Sequence, residues 1–151
     1  MYKSRLAVLL SGNGSNLQAL IDATQKGIIN AEIVLVVSNK FDAGGLKRAQ
    51  KSGIENIVLD NLRYADRRSF DFLLESKLKK YNLDLIILAG FMRILTSDFV
   101  EAFAGRILNI HPSLLPKYRG LHTHQKALEA GDKNAGATVH FVTSELDGGP
   151  S

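Results

Sequence analysis

Asn109 and His111 stand one residue apart at the end of the apolar run ILNIHP, with Pro112 directly after the imidazole. In a strand, alternate residues share a face, so the amide and the imidazole point the same way. Pro112 biases His111 toward extended geometry and stops the strand there. A polar pair at the carboxyl end of a buried strand is where open α/β sheets place their ligand chemistry. An amide donor beside a group that changes protonation near neutral pH suits stabilisation of negative charge on an oxygen. The plainer alternative is a pair of turn formers bonded to nearby backbone. Against it stands the segment ELDGGP, which puts Asp147 in a Gly-rich turn after another strand-like run. A carboxylate delivered there could reach the imidazole.

The elements that must position these groups follow a repeated pattern. RLAVLL (residues 5–10) is a continuous apolar run, as expected of a parallel strand covered on both faces. The loop SGNGSN follows, then a helix with Leu17, Leu20, Ile21 and Thr24 at helical spacing and Gly27 as its stop. Further strands are expected over 32–37, 54–59, 84–89 and 137–143, with helices over 44–52, 66–81, 97–104 and about 122–131. In the 66–81 helix, Phe70, Leu73, Leu74 and Leu78 make the buried stripe. The order predicts an α/β fold, a doubly wound and mostly parallel sheet of Rossmann type, in one domain spanning 1–151.

The glycine loop fails the dinucleotide test, because Leu17 occupies the place of the third glycine and the second strand ends in Ser38-Asn39-Lys40 without an acidic residue. No nicotinamide cofactor is therefore expected. Backbone N–H groups at a helix N-terminus, with Ser15 and Asn16 beside them, still suit a phosphate. The alternative is an ordinary N-cap turn. Arg67 in a first helical turn is unhelpful to the helix dipole, which hints at another use, although an exposed surface arginine would look the same. After the fourth strand, Gly90 to Leu95 could line a slot for a flat heterocycle, or Phe91 and Leu95 could simply pack the core.

Composition narrows the classes. At 151 residues with 45% hydrophobic and 23% charged content, the chain has the make-up of a soluble globular domain. It contains no cysteine, which excludes a disulfide, a thiol nucleophile and a Cys-based zinc site. His122 and His124 form an H-x-H pair with no third ligand at a convincing offset, so no metal is expected. His140 reads as a core histidine or as part of the site wall. The net charge of +4 favours anionic ligands, and the scattered basic residues make no stripe for nucleic acid. Neither a basic leader nor an apolar stretch near the ~18 residues of a membrane span is seen, so a cytoplasmic protein is expected, with no membrane partner.

Five segments in order, SGNGSNLQAL, SNKFDAGGL, LAGFMRIL, NIHPSLLPKYRGLHTH and VHFVTSELDGGP, make the chain resemble the folate-dependent formyltransferases, specifically those acting on phosphoribosylglycinamide in purine synthesis. The resemblance covers essentially the whole chain. It implies attack of the phosphoribosylglycinamide amine on the formyl carbon of 10-formyltetrahydrofolate. Asn109 and His111 would stabilise the oxyanion, and Asp147 would hold His111 charged and assist proton movement. Gly14, Ser15 and Asn16 would bind the phosphoribosyl substrate. Arg67, Met92, Arg93, Ile94, Leu95 and Asn109 would contact the folate, with the loop from Val142 to Asp147 closing over its pterin. A cis bond is implied at Leu115-Pro116. The family continues past LDGGP with further sheet and a C-terminal helix, which the 151 residues lack; if they are all that exists, an exposed sheet edge and a weakened substrate site are expected. The alternatives are another formyl-group enzyme, such as methionyl-tRNA formyltransferase or formyltetrahydrofolate hydrolase, and a non-catalytic folate or nucleotide binder. The partners implied are small molecules, and the protein would be a monomer or homodimer.

Overall fold

A computed structural model describes residues 3–60, 66–112 and 137–141, the residues from 111 onward as backbone. Six strands form one sheet in the order β3-β2-β1-β4-β5-β6. They are β1 (Ser4–Leu10), β2 (Ala31–Ser38), β3 (Asn56–Val58), β4 (Leu85–Ala89), β5 (Ile107–Pro112) and β6 (Ala137–Phe141). The first five run parallel, and β6 pairs antiparallel with β5. The helices are α1 (Ser15–Gln25), α2 (Gly44–Lys51), α3 (Arg67–Leu78) and α4 (Ser97–Ala102). The expected doubly wound, mostly parallel sheet is therefore present.

Two apolar cores sandwich the sheet. Leu6, Val8 and Leu10 of β1 pack with Leu17, Leu20 and Ile21 of α1 and with Leu46 and Ala49 of α2. The intervening Ala7 and Leu9 pack with Phe70 and Leu74 of α3 and with Phe99 and Val100 of α4. Period-two alternation in a strand whose residues are all apolar supplies both layers at once. In β2 the alternation slips, since Leu6 pairs with Ile33 but Ala7 with Leu35, leaving Val34 as a bulged residue.

The boundaries differ from expectation where local chemistry intervenes. β3 is confined to Asn56–Val58, because only Val36 to Ser38 of β2 lie beside it. The 66–81 helix divides into α3 and a 3-10 turn, Lys79–Tyr81, ended by Asn82 in the left-handed region. Leu73 is only partly buried, whereas Asp71 is fully so. β5 runs one residue further than expected, because Pro112 is the end residue of a pair with Ala137. Similarly β6 is described to Phe141, which pairs with Leu108.

Candidate active site

Strand order reverses between β1 and β4, and ligands of open α/β sheets bind outside the carboxyl ends at such a switch point. Here the strand ends are stitched by one buried hydroxyl. Ser11 Oγ donates to Asn39 Oδ1 at 2.5 Å and accepts the Met92 N–H at 2.8 Å, while the Ser11 N–H donates to the Gly90 carbonyl at 3.0 Å. Ser11, Ser38 and Asn39 are all buried at this end of the sheet. The signal for this junction in the sequence is the polar triplet 38–40 that ends a buried strand.

On the α1 side, the glycine loop is held by α2. Gly14 adopts φ +79, and a Cβ there would stand 2.6 Å from Gly45 Cα. Gly45 in turn lies so near Leu10 that its own Cβ would stand 2.5 Å from Leu10 Cδ2, and its N–H donates to the Gly12 carbonyl at 3.0 Å. Arg48 Nε donates to the Asn13 carbonyl at 2.7 Å, and Asn13 Oδ1 accepts the Ser15 N–H at 2.9 Å. No side chain caps α1, and no acidic residue lies in its first turn. Ser15 is exposed and Asn16 half-buried. Apart from the Asn13 bond to the first helical N–H, the N-terminus of α1 carries no side-chain cap, and the Arg48 guanidinium lies against the loop, an arrangement suited to an anion.

On the other side of β1, residues 91–95 alternate in burial around a bend at Arg93. Phe91 and Leu95, partly buried, pack against the α3–α4 core, while Met92 and Ile94 are 73% and 60% exposed. Between them the Arg93 guanidinium stacks 3.7 Å over the Phe70 ring. Burial pulls the Arg93 pKa below its ordinary value; Asp71 opposes that shift and Arg67 adds to it. Arg67 and Arg93 therefore lie within electrostatic reach of each other. Arg67 opens α3, with the Asp66 carboxylate as N-cap ahead of it accepting the Ser69 N–H at 2.8 Å. That capping carboxylate supplies the negative charge which Arg67 does not.

Asn109 is half-buried on β5, beside Leu88 of β4 and opposite His140 of β6; His111 is opposite Thr138. Leu9 pairs with Leu88, so β1, β4, β5 and β6 carry Leu9, Leu88, Asn109 and His140 in one continuous row. Asn109 shares its strand parity with Ile107, which packs on the α3–α4 core, so the 91–95 segment and Asn109 belong to the same side of the sheet. Asp147, Val142, the 122–131 helix with His122 and His124, and the Leu115-Pro116 bond lie outside the described residues. No cluster of three or more potential metal ligands occurs among the described residues. Nor is any described helix long and apolar enough to cross a membrane.

A hollow of about 760 Å³ lies at the opposite end of the sheet and is lined by Arg5, Glu32, Glu55 and Tyr81 among others. Its polar groups serve one another: Arg5 Nη2 donates to the Tyr81 carbonyl at 2.9 Å, and the Tyr81 hydroxyl to Glu55 Oε2 at 2.5 Å. The Glu55 bond also raises the Tyr81 pKa. The carboxyl ends, where Asn109, Ser11 and the two loops gather, are the better candidate.

Known proteins share these features in sequence and shape. The chain is 54% identical over 145 residues to phosphoribosylglycinamide formyltransferase of Escherichia coli (strain K12), a match covering 96% of this chain and 68% of that protein. It is 53% identical over 149 residues to the trifunctional purine biosynthetic protein adenosine-3 of Drosophila melanogaster, of which it spans 11%. The crystal structure of phosphoribosylglycinamide formyltransferase from Brucella melitensis superposes with a TM-score of 0.78 at 44% identity, covering 99% of this chain and 77% of that one. Because the sequence pattern described as formyl transferase matches residues 4–151, almost the whole length, the chain belongs to the formyl transferase family.

Proposed function

We propose that this chain transfers the formyl group of 10-formyltetrahydrofolate to the amine of phosphoribosylglycinamide, a step of purine biosynthesis. The observation that carries the reading is the placement of Asn109 on β5 level with Leu88 near the carboxyl end of β4, with His111 two residues further on, in a chain 54% identical to a relative named for that reaction. The acceptor's phosphate would sit at the N-terminus of α1, against Gly14, Ser15 and Asn16, with Arg48 supporting the loop from behind. The donor would lie along Met92, Arg93, Ile94 and Leu95, with the anionic groups of a folate drawn toward Arg67 and Arg93.

In the reaction, the amine nitrogen forms a bond to the formyl carbon, and the carbonyl electron pair moves onto oxygen. Asn109 and protonated His111 stabilise that oxyanion as preorganised donors. Asp147 favours the charged imidazole and helps move the amine proton toward the departing N10 of the folate. Collapse breaks the bond from carbon to N10 and releases tetrahydrofolate. Residues 1–151 act as one cytoplasmic formyltransferase domain on small-molecule substrates, without a metal or nicotinamide cofactor.

The test is loss of a 10-formylfolate donor with and without phosphoribosylglycinamide. Acceptor-dependent loss is expected, and Asp147→Asn should cut kcat while leaving donor affinity nearly unchanged. Equal loss without acceptor would point to a hydrolase, and equal turnover in Asp147→Asn would remove Asp147 from the mechanism.

A further inference from the structure

Asp71 is a carboxylate on the inner face of α3 with only 2% of its surface exposed. Its Oδ2 accepts the backbone N–H of Thr96 at 2.6 Å, and its Oδ1 has no hydrogen-bond partner among the described residues. Thr96 is the N-cap of α4, its Oγ1 accepting the Phe99 N–H at 3.2 Å. The residue before Asp71 is Phe70, whose ring carries the Arg93 guanidinium. The charge of Asp71 also favours the cationic form of Arg93. One carboxylate therefore ties the end of the 91–96 segment to α3 by a hydrogen bond, with the Arg93 guanidinium stacked on the neighbouring Phe70.

Stability alone gives little reason for a carboxylate here. Burying a charged group is costly, and a well-packed apolar residue in such a place is often neutral or stabilising. What the carboxylate adds is geometry. The alternating burial of 91–95 rests Phe91 and Leu95 against the core and turns Met92 and Ile94 outward, and it is pinned by Ser11 at Met92 and by Asp71 at Thr96. A slip of one residue would exchange the two sets.

We infer that Asp71 is a positioning residue for the donor half of the cleft: by holding Thr96 it fixes the register in which residues 92–95 meet the folate. This rests on the reading that the segment contacts the donor. Asp71→Asn keeps shape and an acceptor oxygen but drops the charge; Asp71→Ala removes both.

The measurement is steady-state kinetics of both variants with each substrate varied, alongside calorimetric titration with 10-formylfolate. The donor KM should rise several-fold in Asp71→Asn and roughly tenfold in Asp71→Ala, a loss of about 1.4 kcal/mol, while the acceptor KM stays within about twofold. A purely structural role would lower melting temperature and active fraction without separating the two KM values, and that outcome overturns the inference. Should Asp71→Ala fail to fold, Asp71→Asn decides alone. A parent protein that binds 10-formylfolate but transfers nothing to phosphoribosylglycinamide sinks the functional reading instead. Asp71 is then judged by affinity for 10-formylfolate, and affinity unchanged in the variants overturns its positioning role.

Discussion

Gly14 and Gly45 approach so closely that a single added Cβ on the first would meet the backbone of the second at 2.6 Å. Gly14→Ala must also hold φ +79, a conformation strained for a side chain. The variant should lose about 1–3 kcal/mol, a fall in melting temperature of several degrees. The acceptor KM should rise more than the donor KM. Thermal denaturation and kinetics check both, and an unchanged melting temperature would refute the interlock.

Ser11→Ala removes the hydroxyl that bonds Asn39 and accepts from Met92. Its burial makes the loss expensive, about 1–3 kcal/mol. Weaker binding of the folate donor should accompany the lower melting temperature, because Met92 loses its tether. A variant as stable as the parent would show that water replaces the hydroxyl at no cost.

Arg48→Gln should spare the fold and loosen the glycine loop, since the bond from Nε to the Asn13 carbonyl is lost on an exposed surface. The expected result is an acceptor KM raised roughly three- to tenfold with the donor KM unchanged, about 0.6–1.4 kcal/mol. Parallel rises in both would mean that Arg48 acts on the whole cleft.

Asn109→Ala should lower kcat by roughly 10²- to 10³-fold, the usual loss for one donor of an oxyanion site. Because Asn109 is only half-buried, the melting temperature should change little. A kcat within fivefold of the parent would exclude it from transition-state stabilisation.

Asp66 caps α3, and the backbone N–H of Ser69 holds its carboxyl below the ordinary carboxylate pKa. A pKa depressed on folding means stability that is present above the unfolded value and lost as pH falls through the lower folded value. The melting temperature of Asp66→Ala should therefore lie below that of the parent at neutral pH. The difference should shrink below about pH 4. A difference independent of pH would place the cap's effect outside the charge.

Much of this arrangement is legible in the chain because it is written in local pattern. The apolar runs of β1, β2 and β4 could only be buried strands, and the spacing of Phe70, Leu74 and Leu78 could only be a helix stripe. Asn109 and His111 were visible because a proline marks the strand end just after them. Ser11, Gly45 and Asp71 were not, since each acts through a partner 25 or more residues away. A buried aspartate and an exposed one look alike until the opposing loop is placed. The division of 91–95 into core and outward residues was equally hidden, because both sets are largely apolar and only the tether positions choose between them.

The Ser11 hydroxyl also gives the cleft a fixed origin. The glycine loop begins at that residue, and the 91–95 segment hangs from its oxygen through Met92. Under the proposed function, reactants seated on these two arms would inherit a separation set by neighbouring strands, about 4.8 Å apart. Alignment of amine and formyl carbon would then be a property of the folded core, ready before either substrate arrives. Drift in one arm is carried to the other through a single oxygen atom.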